Sequence, residues 1–297
     1  MTYPNTARPR RSVLYMPGDK AKVLEKAKSL PADTLMIDLE DAVAPDNKLT
    51  ARDAAAAAVK AGGFGQRELI IRINGLDTEW GQADLEAAVA AGPDAILVPK
   101  IETAADIDAL DTALGKAGAP DTLALWVMIE MPKAIFNLHD IAAASERTRL
   151  AAFVMGTNDL AKEFRAQWTP DRLAFQTALS LTVAAARCYD LLAIDGVYNN
   201  FQDPDGLRAE CLQGRLLGFD GETLIHPAQL DITNEVFSPA EDDMEQAHAI
   251  IAAFDLPENS GKGVIKVNGK MTELLQLEEA RRTVAVAEAI SALSAGA

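Results

Sequence analysis

Apolar residues in this chain come in short, nearly uninterrupted runs. They are Ser12–Tyr15, Thr34–Leu39, Leu69–Ile73, Ala95–Val98, Leu123–Ile129, Ala151–Met155, Leu191–Asp195 and Thr223–Ile225. Short apolar runs without a polar alternate face are the pattern of strands buried on both sides. Between them lie alanine-rich stretches with apolar positions three and four apart: Ala21–Ser29, Leu49–Ala61, Gly81–Ala91, Thr103–Ala117, Ile135–Ser145, Pro170–Cys188 and Gly206–Leu217. These read as amphipathic helices. Eight strands alternating with helices predict an α/β fold, a (β/α)8 TIM barrel, which takes about 250 residues. The open doubly wound alternative calls for a Gly-rich phosphate turn after an early strand, and the chain has neither GxGxxG nor a Walker motif.

Past the eighth run the pattern changes. Phe237–Phe254 reads as a helix whose start, SPAEDD, puts acids where the helix dipole favours them. A polar linker, Pro257–Gly263, leads to a β-like stretch at Val264–Val267, a turn at Asn268-Gly269 and an amphipathic helix at Leu274–Leu293. The expected organisation is a catalytic barrel over 1–256 and a C-terminal extension over 257–297. A hinged lid or subunit-exchange arm and plain barrel decoration both fit this pattern.

Net charge narrows the partners. With 44 acids against 28 bases the chain carries −16, which argues against nucleic acid, because phosphate backbones need a basic surface. No apolar run approaches the roughly 20 residues that span a bilayer. The first residues, MTYPNTARPRRS, are basic but lack a following apolar segment, so no secretory signal is expected. Cys188 and Cys211 are too few for a disulfide framework, and reduced thiols in a cytoplasmic protein are expected. His139, His226 and His248 show no zinc spacing.

In a barrel the strand C-termini collect on one face, and their polar residues converge there. Those residues are Asp38, Glu40 and Asp41 in IDLEDAV, Arg72 and Asn74 in IIRING, Lys100 in LVPK, Glu130, Asn158 and Asp159, Asp195, and His226. Glu130 and Asp159 each close an apolar run. Two acids without a Cys or His cluster suit a hard cation, Mg²⁺ or equally Mn²⁺, although acids bridged to Arg72 or Lys100 would have the same signature. Arg72 can hold a carboxylate or donate to an oxygen that becomes negative, or it can simply pair with Glu40 or Asp41. Lys20 and Lys22, after the turn MPGD, form either a local phosphate site or a solvated helix start. Trp80 and Trp126 read as core.

In order, RSVLYMPGDK, MIDLEDAVAPDNK, IRINGLDT, ILVPKIE, VMIEMP, GTNDLA and LIHPAQL resemble the citrate lyase β-subunit / malyl-CoA lyase (HpcH/HpaI aldolase-like) family over essentially the whole chain. The resemblance implies a Mg²⁺-dependent barrel acting on the CoA thioester of a hydroxy-diacid, as a homotrimer or homohexamer. It implies Glu130 and Asp159 as metal ligands, Arg72 on the reacting acyl group, and the basic residues after the first strand on CoA. The tail resembles the family's lid, which covers a neighbouring subunit's site. There the lyases present an Asp as general base in a stretch Gly-x-Met-x-Asp; here Gly269-Lys270-Met271-Thr272-Glu273 ends in Glu. Ala134 also stands where relatives commonly carry Gly. MGTNDLAKE, DGVYNNFQDPDGLRAE and the lid Glu resemble the (3S)-malyl-CoA thioesterase branch most closely. The expected activity is therefore hydrolysis of (3S)-malyl-CoA to malate and CoA. The alternatives are a malyl-, β-methylmalyl- or citramalyl-CoA lyase, and a β-subunit that needs partner chains.

Overall fold

A computed structural model describes residues 8–295; the start of the basic N-terminal stretch lies outside them. Two compact units are present, one over Arg10–Phe237 and one from Ser238 onward.

The first unit is a closed eight-stranded barrel in which every neighbouring pair is parallel. Its strands are β1 (Ser12–Pro17), β2 (Thr34–Asp38), β3 (Glu68–Arg72), β4 (Ala95–Val98), β5 (Ala124–Ile129), β6 (Leu150–Met155), β7 (Leu192–Asp195) and β8 (Gly221–Leu224). The intervening helices are α1 (Ala21–Ala27), α2 (Lys48–Ala61), α3 (Gly81–Ala91), α4 (Ala104–Lys116), α5 (Pro132–Ala143), α6 (Thr157–Phe164), α7 (Gln176–Cys188) and α8 (Pro204–Leu217), followed by α9 (Leu230–Val236). Strand parity explains the unbroken apolar runs. Val13, Met36, Ile70, Leu97, Trp126, Val154 and Ile194 fill the barrel interior. Their chain neighbours Leu14, Leu35, Ile71, Ile96, Leu125, Phe153 and Ala193 pack outward under the helices. Both faces are dry, so neither tolerates a polar residue without a partner. At the N-terminal end Arg10 grips buried Glu68 through Nε at 2.6 Å and Nη2 at 2.8 Å, which closes the interior with a satisfied pair.

All eight expected strands are present, shifted by a residue or two. Two helical expectations differ. The stretch Pro170–Cys188 is helical only from Gln176, where α7 begins, and residues 157–164 form a helix that was not expected, α6, directly after β6. Between them buried Arg172 adopts a left-handed φ of 50°, anchored by two 2.9 Å bonds to Asp195. The helix expected over Phe237–Phe254 also starts late. Pro239 disfavours helical backbone at Ser238, so α9 ends at Val236 and a separate helix starts at Glu241.

The second unit contains α10 (Glu241–Phe254), β9 (Val264–Val267), β10 (Lys270–Glu273) and α11 (Leu274–Ala295). β9 and β10 form an antiparallel hairpin whose turn puts Asn268 at φ 50° and Gly269 at φ 81°. These are the left-handed positions that an Asn-Gly turn supplies at little cost. Ile250, Phe254, Ile265, Val267 and Leu277 make this unit its own small core. Helix α10 thus packs with the extension.

Candidate active site

Strand parity aims the ends of β1, β2, β3 and β5 into the barrel mouth. Tyr15, Asp38, Arg72, Glu130 and Asp159 line one cavity there of about 290 Å³. Arg72 organises it. Asp38, the last residue of β2, accepts from one edge of its guanidinium in a bidentate fork, Nε at 2.7 Å and Nη2 at 2.6 Å. The same carboxylate accepts the Glu40 and Ala42 N–H groups at 2.9 and 3.0 Å, so it orients Arg72 and shapes the following loop together. That loop is pinned from behind by buried Lys48, which donates to the Leu39 and Glu40 carbonyls and to Asn74. The Tyr15 ring lies over the guanidinium, 4.8 Å from Cζ, adding a cation–π contact. Burial, more than the nearby carboxylates, holds the Tyr15 phenol un-ionised.

The third nitrogen of Arg72, Nη1, meets a different set. Glu40 Oε2 is 2.9 Å away and Asp41 Oδ2 3.6 Å. Glu40 is buried and Asp41 largely exposed. The other Glu40 oxygen accepts Lys100 Nζ at 2.6 Å.

Glu130 follows β5 and is 1% exposed. Its Oε1 accepts the Lys100 backbone N–H at 2.7 Å, presented by a left-handed Lys100 with φ 57°. Burial first, then Glu40 and Asp159, push its carboxyl up to about 8. Asp159 is half-buried and sits on the first turn of α6, not at the end of a strand. The strand stops at Met155, and Gly156 begins the turn into α6. A Cβ on Gly156 would lie 2.3 Å from Glu130 Oε2, so this glycine keeps open the space beside the carboxylate. Two carboxylates lining one cavity, one of them buried and destabilised by the other's charge, fit a hard divalent cation. Mg²⁺ keeps several waters and takes one or two protein carboxylates, so a pair of carboxylates is a donor set of the kind it uses.

The remaining candidates are placed elsewhere. Lys20 and Lys22 stand exposed at the start of α1, with Lys20 Nζ 3.1 Å from Asp19. Glu273 ends β10 in the second unit and is exposed. Asp195, expected at the mouth, faces the helix layer and pairs with Arg172. Asn74 is turned away to Lys48 and Asp84. His226 stacks on Phe201 and accepts the Ala228 N–H. Tyr15 was not among the candidates read from the chain, although its even spacing from Val13 puts it on the same inward face. Met128, which also lines the cavity, reads in sequence as ordinary core.

Comparison with known proteins adds to this geometry. The family described as HpcH/HpaI aldolase/citrate lyase matches residues 11–227. A (3S)-malyl-CoA thioesterase of Cereibacter sphaeroides is 52% identical over 289 residues, covering 97% of this chain and 98% of that protein. The citrate lyase subunit beta of Leuconostoc mesenteroides subsp. cremoris is 34% identical, covering 96% of this chain and 95% of that one. A citrate lyase beta subunit from M. tuberculosis, solved in complex with oxaloacetate and magnesium, is 26% identical. It has a TM-score of 0.67 and covers 78% of this chain and 99% of that chain.

Proposed function

From the premise that the chain belongs to the HpcH/HpaI aldolase/citrate lyase family, we propose that it is an enzyme hydrolysing (3S)-malyl-CoA to malate and CoA. The observation that carries this reading is the 52% identity, end to end, to a (3S)-malyl-CoA thioesterase. The arrangement of Arg72, Glu130 and Asp159 around one cavity supports it.

Glu130 and Asp159 would hold Mg²⁺, or Mn²⁺ in its place. When bound, the ion supplies positive charge beside the acyl oxygens. Arg72 adds the Nη1 donor toward the thioester carbonyl oxygen, where negative charge grows as water adds to the carbon. Asp38 keeps that guanidinium from turning, so little reorganisation accompanies the charge change. Glu40 and Asp41 act at Arg72 rather than on the acyl carbon. Glu273 is the base: it takes a proton from the attacking water, the C–S bond breaks, and the proton passes to the leaving thiolate. Another subunit of a homotrimer or homohexamer would supply it, with the second unit as the lid. Lys20 and Lys22 would meet the CoA phosphates. Among the described residues no helix is long and apolar enough to cross a membrane, and a cytoplasmic location is proposed.

The rival is retro-Claisen cleavage to a 2-oxo acid and a shorter acyl-CoA. It is favoured by the citrate lyase relatives and uses the same residues. A time course on malyl-CoA with Mg²⁺, following free thiol and glyoxylate in parallel, separates the two. Free thiol without glyoxylate establishes the thioesterase. Glyoxylate without free thiol establishes the lyase, and neither product removes malyl-CoA as the substrate.

A further inference from the structure

Among the polar side chains lining the barrel-mouth cavity, one donor opens on the cavity and has no acceptor among the described residues. Asn158 donates to Asn199 Oδ1 at 3.2 Å, and the Thr223 hydroxyl donates to the Asp195 carbonyl at 2.9 Å. Arg72 forks onto Asp38 and pairs with Glu40 at 2.9 Å, and its guanidinium carries further N–H groups beyond these contacts. Thr157 lacks a partner, but its hydroxyl oxygen is shut in against Gly196. Tyr15 is different. Its hydroxyl bonds to none of the described residues and, unlike that of Thr157, is not enclosed by them. A tyrosine this far inside a fold ordinarily finds a partner for its O–H. The ring itself is fixed. It packs on the interior residues of the barrel, and the Arg72 guanidinium lies across its face at 4.8 Å. Burial keeps the phenol un-ionised, so the proton is there to be donated.

We propose that Tyr15 is a second donor to the thioester carbonyl oxygen, a catalytic residue that works beside Arg72. This rests on the functional reading given above. As water bonds to the acyl carbon, an electron pair of the C=O bond moves onto that oxygen. The pair returns when the C–S bond breaks, and the thiolate receives the proton that the base took from the water. The phenol keeps its own proton throughout, and its hydrogen bond strengthens as the charge grows. With no acceptor to leave in the free protein and a ring already held in place, the O–H meets the new charge without reorganisation.

The test is Tyr15→Phe, which removes the oxygen and keeps a ring over Arg72, so the cation–π contact survives. The kcat for malyl-CoA hydrolysis should fall about 100-fold, the scale of losing one oxyanion donor. KM should be unchanged, because the bond gains its strength only as charge develops. The melting temperature should not fall, since the hydroxyl holds no partner in the protein, and Mg²⁺ affinity by isothermal titration calorimetry should be unchanged. A stable analogue with methylene in place of the thioester sulfur reports the contact without turnover. Isotope-labelled at the carbonyl carbon, its bound C=O stretch in the infrared should lie at higher frequency in Tyr15→Phe than in the wild type. A wild-type kcat in the variant, a raised KM at unchanged kcat, or an unshifted stretch overturns the proposal. If the wild type releases glyoxylate in place of free thiol, the thioesterase reading fails alone. The same oxygen then gains charge as an enolate, and the variant should slow that cleavage by the same factor. A wild type that forms neither product overturns both readings.

Discussion

At the scale of single residues, Glu130 shows how environment gives a carboxylate its use. In sequence it is one of several acids at the ends of apolar runs. In the folded chain its burial, beside Glu40 and Asp159, makes it resist ionisation in the metal-free protein. A cation relieves that resistance, which predicts that Glu130→Gln abolishes Mg²⁺ binding in isothermal titration calorimetry. Turnover should fall with it, while the metal-free variant melts no lower than the wild type. Arg72, Glu40 and Asp41 were legible because charge at the end of a buried strand calls for a partner. Tyr15 and Met128 were not, because an aromatic or a thioether in an apolar run reads as core. Asp195 misled for the opposite reason: it also ends a strand, but on the outward parity, where Arg172 waits 2.9 Å away.

At the scale of elements, the junction of β6 with α6 matters most. Gly156 has an ordinary negative φ of −100°, so its role is not conformational freedom but space. A Cβ there would stand 2.5 Å from the Glu130 Cβ as well as 2.3 Å from its Oε2, and those atoms belong to the adjacent strand end. Gly156→Ala should therefore cost about 1–3 kcal/mol by overpacking, read as a lower urea midpoint with unchanged slope. It should also weaken Mg²⁺ binding, because the strand end carrying Glu130 must shift. The strands were legible as a set, since eight short apolar runs at regular spacing fit little besides strands buried on both faces. Helix α6 was not. Gly-Thr-Asn-Asp looks like a turn, and eight residues give an apolar period little room. The break before α10 was signalled by Pro239, but the acidic residues after it suggested one continuous helix.

For the whole molecule, buried acids outside the mouth set a pH dependence. Glu210 is pushed up to about 7 by burial, offset in part by Arg172 at 3.6 Å. Glu222, fully buried, is held well above its usual range by burial and then by Asp195. A raised folded-state value means that the folded protein keeps the proton longer than the unfolded chain. The contribution of Glu210 is thus complete below 4.5 and is lost as pH rises to about 7. At about 1.4 kcal/mol per tenfold change in proton affinity, this amounts to on the order of 3 kcal/mol. Urea unfolding at pH 5 and pH 8 should show Glu210→Gln flattening that fall; an unchanged difference would refute it. The second expectation at this scale concerns the lid. With Glu273 as base, Glu273→Gln should lower kcat at least about 100-fold and leave Mg²⁺ affinity intact. Full turnover by that variant would exclude the role.

Periodicity narrowed the fold to eight strands dry on both faces and covered by helices, and the missing phosphate turn favoured a barrel over an open sheet; closure itself is seen only in the structure. Periodicity also determined that charge would gather at the C-terminal mouth, because buried strands can carry charge only at their ends. Tertiary structure decided which of those charges meet. Strand parity sent Asp38, Arg72 and Glu130 inward and Asp195 outward, and parity depends on register across the closed sheet, which is a property of neighbours far apart in the chain. The hold of Lys100 on Glu40 is of the same kind: two residues 60 positions apart, on loops after β2 and β4, set within 2.6 Å by the closure of the barrel.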